Sequence, residues 1–158
     1  MKALVVDGYN AIYKIKQLRP LLDTNLREAR QALTRLAIDY QRKTGGIART
    51  YVVFDGKDAY RDLPAPSHQI FSKTGEGDRE IIRTIRKLSK DYHVVVASDD
   101  NFVRNNSRAY NATAITISEF AAAMEKKGAG TRRDIGEDKR ISPESAREIT
   151  AYLRKRLG

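Results

Sequence analysis

Two hydrophobic rhythms share this chain. Ala3-Leu4-Val5-Val6 is an unbroken apolar run that stops at Asp7-Gly8-Tyr9-Asn10. Such a run predicts a strand buried on both faces, as at the centre of a parallel sheet. Gly8 lets the backbone turn at once, and Asn10 can cap the helix expected from Ala11 to about Leu18, ended by Pro20. Leu26, Ala29, Leu33, Leu36, Ala37 and Tyr40 then step by three and four, which predicts a helix from Asn25 to Lys43 with one buried stripe. Asn25 and Glu28 have capping-box spacing, and Gly45-Gly46 ends the helix.

The strand rhythm returns at Thr50-Tyr51-Val52-Val53-Phe54 and again closes on acid and glycine, Asp55-Gly56. The stretch from Lys57 to Ser67 carries Pro64 and Pro66 and reads as a loop; Gln69 to Phe71 reads as a brief strand. Asp78 opens a helix with the core face Ile81, Ile82, Ile85 and Leu88. His93-Val94-Val95-Val96-Ala97, the most β-prone run, ends in Ser98-Asp99-Asp100-Asn101. A short helix is expected near Phe102, a strand at Ala114–Ile117, and a helix from Glu119 to Lys126 capped by Ser118. The order βαβ(β)αβαβα predicts an α/β fold with a mostly parallel sheet and helices on both faces. Residues 1–126 therefore read as one domain. From Lys127 periodicity is lost, so 127–141 is expected to be a mobile basic linker or loop. Ser142-Pro143-Glu144 then supplies a cap and a first-turn proline for a C-terminal helix over 142–158.

Charge changes the picture. The 158 residues carry 30 Lys and Arg against 20 Asp and Glu, a net +10, with a sequence pI near 9.9. That balance favours a polyanionic partner, nucleic acid first. No cysteine is present, so disulfides and Cys-based zinc sites are excluded. With no run long enough for a signal peptide or a membrane span, we expect a cytoplasmic protein without membrane contact.

Three expected strands end in carboxylates, Asp7, Asp55 and Asp99-Asp100, and Asp78 stands at a helix start. Parallel strands end at one sheet edge, where open α/β sheets collect ligands, so these acids can converge. Gathered carboxylates repel unless protonated or metal-bound, and a hard divalent ion such as Mg²⁺ is their natural partner. Such an ion can activate water and neutralise a phosphodiester. No P-loop occurs, and Gly75-Glu76-Gly77 lacks the third glycine of a dinucleotide fingerprint, so no nucleotide cofactor is expected. A haloacid-dehalogenase-type phosphatase would want a second acid where Tyr9 stands. His68 and His93 do not form a catalytic pair.

Val5-Val6-Asp7-Gly8-Tyr9-Asn10, Val52-Val53-Phe54-Asp55-Gly56, Phe71-Ser72-Lys73-Thr74-Gly75-Glu76-Gly77-Asp78 and Val94-Val95-Val96-Ala97-Ser98-Asp99, in that order, resemble the NYN-domain family. The YacP-like type, similar to PIN-domain nucleases, is the nearest pattern. The resemblance implies a PIN-like three-layer α/β/α sandwich and ribonuclease activity supported by Mg²⁺ or Mn²⁺. Carried over by motif, Asp7 is the first-strand metal acid, Asn10 its polar companion, Asp78 the acid at the head of the middle helix and Asp99 that of the Ser-Asp motif. The family's Gly-Glu-Thr-Ala-Asp is one residue shorter here. Ile82 occupies the place of a further acid one turn into that helix, leaving Glu80 or Asp100 as the substitute charge.

RNA must be held as well as cut. Lys14, Arg61, Lys73, Arg104 and Arg108 are candidate phosphate contacts, and Tyr9 and Phe102 are candidates for stacking on unpaired bases. The expected function is a metal-dependent ribonuclease acting as an endonuclease. The alternatives are a catalytically weak RNA-binding module on the same fold and, less favoured by the charge, a small-molecule phosphohydrolase. Nothing in the residues specifies a larger ribonucleoprotein partner.

Overall fold

The computed structural model describes residues 1–56 and 66–134, with side chains as far as Glu125. The strands are β1 (Lys2–Asp7), β2 (Ile47–Asp55), β3 (Gln69–Ser72), β4 (His93–Ala97) and β5 (Thr113–Ile115). They form one sheet in the order β3-β2-β1-β4-β5, with every pairing parallel. The helices are α1 (Gly8–Lys14), α2 (Leu21–Thr24), α3 (Leu26–Thr44), α4 (Gly77–Leu88), α5 (Asn101–Ser107) and α6 (Ile117–Asp134).

The apolar run of β1 is fully buried because a helical layer covers each face of the sheet. Leu4 and Val6 point into the core shared with α1, α2, α3 and α6. Val5 joins Val53, Val94 and Val96 beneath Ile81 and Ile85 of α4 and Val103 of α5. Strand alternation thus divides β1 between two cores. Burying side chains of this size contributes about 1.5–3 kcal/mol each. The expected sandwich with a parallel sheet is therefore present.

The helix starts differ from the sequence reading. The first helix begins directly at Gly8 and stops at Lys14, so Asn10 lies inside it and caps nothing. Gly8 is required by crowding: a Cβ there would sit 2.4 Å from the Phe54 ring and 2.6 Å from the Val53 carbonyl oxygen. At α6 the cap is Thr116 rather than Ser118. The Thr116 hydroxyl accepts from the Glu119 N–H at 3.0 Å, and the Glu119 carboxylate accepts from the Thr116 N–H at 2.8 Å. This is a reciprocal capping box, and it cuts β5 short at Ile115. Helix α6 also runs to Asp134, past the expected end at Lys126, because good helix formers surround Gly128 and Gly130. The rest of the expected linker, the C-terminal helix and the proline-rich stretch 57–65 lie outside the described residues.

Candidate active site

From β1 the chain crosses to β2 on one side and later reaches β4 on the other, so the order reverses at the carboxyl end of β1. Ligands bind at such switch points in open α/β sheets. Asp7 ends β1, and Asp99 and Asp100 follow β4, which flanks it. Asp55 ends the other neighbour, β2, while Asp78 lies in the first turn of α4. All five carboxylates line one cleft of about 560 Å³, together with Tyr9, Asn10 and Lys14. Gly77 allows the α4 end to approach, since a Cβ there would meet that of Asp55 at 3.0 Å.

Each acid is held differently. The Asp7 Oδ2 accepts from the Ser98 hydroxyl at 2.8 Å and from the Asn10 amide at 3.4 Å. Burial pushes the Asp7 carboxyl above its ordinary pKa; the Ser98 and Asn10 hydrogen bonds oppose that, and the charges of Asp100 and Asp99 add to it. Asp99 goes the other way. Partial burial would raise it, but the Ile117 N–H at 2.9 Å, the Lys14 ammonium at 3.1 Å and the Arg104 charge together hold it below the usual carboxylate range. Asp100 caps α5 by accepting from the Val103 N–H at 3.0 Å and is more exposed than Asp99. Asp55 accepts from the Gly75 N–H at 2.7 Å and so fixes the loop before α4. Asp78 accepts from the Arg79 N–H at 2.8 Å.

A model of the YacP-like NYN domain matches residues 4–157. The chain belongs to this family. The match runs through the described fold and on through the tail. Two solved structures of Rae1 (YacP) from Bacillus subtilis are similar to this NYN domain. A W164L mutant is 27% identical, covers 83% of this chain and 79% of its own, and superposes with a TM-score of 0.66. The other is 22% identical, covers 99% and 92%, and superposes with a TM-score of 0.64. No curated protein matches the chain. Family and neighbours together point to a nuclease-type, RNA-related function.

The remaining candidates of this NYN domain are scattered. Tyr9 reaches the cleft, but its ring packs on Phe54 at 5.0 Å between centroids, and its hydroxyl accepts from the Arg30 guanidinium at 3.3 Å. Arg104 is half-buried and donates to the Ser98 carbonyl at 3.1 Å, so it braces the strand end. Lys73 and Arg108 are exposed, and Phe102 is 46% exposed. Arg61 lies outside the described residues. Glu80 is paired with Arg83 at 2.6 Å, and it is Ile81 of that turn that lines the cleft. Sequence reasoning gave Ser98 no role, yet its fully buried hydroxyl donates to Asp7 and accepts from the Asp100 N–H at 3.1 Å. Its position between β4 and Asp99 was the available signal.

The donors fit a hard divalent cation in kind, since carboxylate and amide oxygens are its usual ligands. Among the described residues, no three acids or histidines are gathered as a metal cage, and the Lys14 ammonium neutralises Asp99.

Proposed function

We propose that this chain is a divalent-metal-dependent ribonuclease that cuts RNA internally. The observation that carries the reading is the convergence of Asp7, Asp55, Asp78, Asp99 and Asp100 on one cleft in a chain of net charge +10. Asp7, Asp78, Asp99 and Asp100 would hold Mg²⁺ or Mn²⁺, with Asn10 as the polar companion of Asp7. When bound, such an ion supplies an activated water and offsets the phosphodiester charge.

The chain's own residues prepare that chemistry. Ser98 and Asn10 fix one Asp7 oxygen, which sets the direction of the carboxylate. The Ile117 N–H orients Asp99 from the other side. Lys14 holds the Asp99 charge in the meantime and, once released, is placed to meet a phosphate at the same cleft.

Asp7→Asn tests the reading, since it removes the charge and nearly preserves the shape. Cleavage of single-stranded RNA is expected to fall by on the order of a hundredfold or more, with RNA binding retained. Chelation should reproduce the loss, and Mg²⁺ or Mn²⁺ should rescue only the unmutated protein. Cleavage by the variant at the normal rate would remove Asp7 from the mechanism. A second reading, a catalytically weak RNA-binding module, is favoured by the Lys14–Asp99 pair, which neutralises one of the cleft acids. Binding of varied RNAs without cleavage by the unmutated protein would select it.

A further inference from the structure

Helix α4 begins at the lip of the cleft, where Gly77 and Asp78 line it, and runs away from it along the outside of the molecule. Its inner face is committed to the core through Ile81, Thr84 and Ile85. Every exposed residue of the helix, Arg79, Arg83, Arg86 and Lys87, is basic, and exposed Lys90 follows in the next turn.

A solvated helix face does not need this composition. Arg79 and Arg83, and Arg83 and Lys87, are like charges four residues apart within the helix, a spacing that weakens it. Arg79 also stands in the first turn, where the helix dipole disfavours a cation. The Glu80–Arg83 ion pair offsets only part of this. A row of cations spaced by three and four residues repeats at about 4.5–6 Å along the axis, a spacing able to follow a sugar-phosphate backbone.

We propose that the outer face of α4 is a phosphate track that carries single-stranded RNA to or from the cleft. This rests on the ribonuclease reading and adds a binding surface outside the acidic site. The contacts are to phosphates, so they add affinity and register without base preference.

The test uses the full chain in chelator, with fluorescein-labelled single-stranded RNAs of five and twenty nucleotides, read by anisotropy. The unmutated protein should bind the longer RNA much more tightly. In Arg79→Gln/Arg86→Gln/Lys87→Gln, affinity for the longer RNA should fall by about tenfold or more near 0.1 M salt, and its salt slope should drop by about two, three charges at roughly 0.7 each. The gap between the two lengths should shrink accordingly. Arg27→Gln/Arg42→Gln/Arg49→Gln makes the same charge change on exposed residues of α3 and β2 and should preserve the gap. Equal losses in both triple variants would overturn the track, because the effect would then belong to the overall field. So would an unchanged length gap in the α4 variant. If the unmutated protein binds neither RNA, the RNA reading fails first and the track falls with it. Melting curves check that each variant is folded.

Discussion

Asp7 and Asp99 lie in one cleft and are pushed in opposite directions, which separates their roles in stability. The folded-state pKa of Asp7 is raised by burial, so ionising it works against the fold. That cost appears as pH rises from the unfolded value, about 3.9, through the raised folded value, and it is complete above that. Asp7→Asn should therefore melt at a higher temperature near neutral pH, and the advantage should vanish below about pH 3.9. Equal melting temperatures at pH 7 would mean that the Ser98 and Asn10 hydrogen bonds cancel the burial cost. Asp99 has a depressed pKa and contributes stability that is lost as pH falls through its folded value. Its Lys14 partner is half-exposed, so the pair itself contributes little, but a cation entering the cleft must compete with that ammonium. In Lys14→Gln, Mn²⁺ affinity measured by calorimetry should rise by on the order of tenfold. An affinity equal to that of the unmutated protein would show that Lys14 does not compete. The acids of the cleft were legible in the sequence because each stands at a strand end or helix start. The hydrogen bonds that set their ionisation were not, because Ser98, Ile117 and Lys14 reach them from separate elements.

At the scale of elements, two joints decide whether the cleft forms. The first is β1 to α1, where Gly8 leaves no room for a Cβ against Phe54. Gly8→Ala should destabilise by about 1–3 kcal/mol through overpacking and shift Asp7 and Tyr9, so RNA cleavage should fall along with the melting temperature. Normal stability in the Gly8→Ala variant would show that the Phe54 ring can move aside. The second joint is β5 to α6, where Thr116→Val breaks the capping box and should cost about 0.5–2 kcal/mol by denaturant titration. Strand existence was readable because Leu4-Val5-Val6, Val52-Val53-Phe54 and Val94-Val95-Val96 are apolar runs packed on both faces of the sheet. Helix starts were less so. Asn10 has the chemistry of a cap, but Gly8 lets the helix begin three residues before the expected Ala11, and Thr116 outcompetes Ser118 because Glu119 lies three residues after it. The extension of α6 to Asp134 was hidden by Gly128 and Gly130, which lower helix propensity without forbidding a helix.

The whole molecule sets a basic exterior around an acidic cleft. A phosphodiester chain is attracted by the net +10 charge and repelled at the cleft floor until a cation offsets the carboxylates. Capture and chemistry should therefore respond to different ions. Monovalent salt should slow the approach, since steering of a polyanion is screened beyond a Debye length of about 10 Å at 0.1 M. Stopped-flow mixing of the protein with a labelled single-stranded RNA, in chelator so that nothing is cut, isolates this step. Between about 0.05 and 0.3 M KCl, kon should fall by tenfold or more, whereas a mononucleotide should show little change. Asp7→Asn should leave the slope of that dependence nearly intact, because one half-buried charge adds little to a field set by 30 cations. At saturating RNA the single-turnover cleavage rate should instead follow the divalent concentration and ignore moderate KCl. A salt-independent kon, or affinities for RNA and mononucleotide that match, would turn the reading toward a small-molecule phosphohydrolase, for which an extended basic surface has no use.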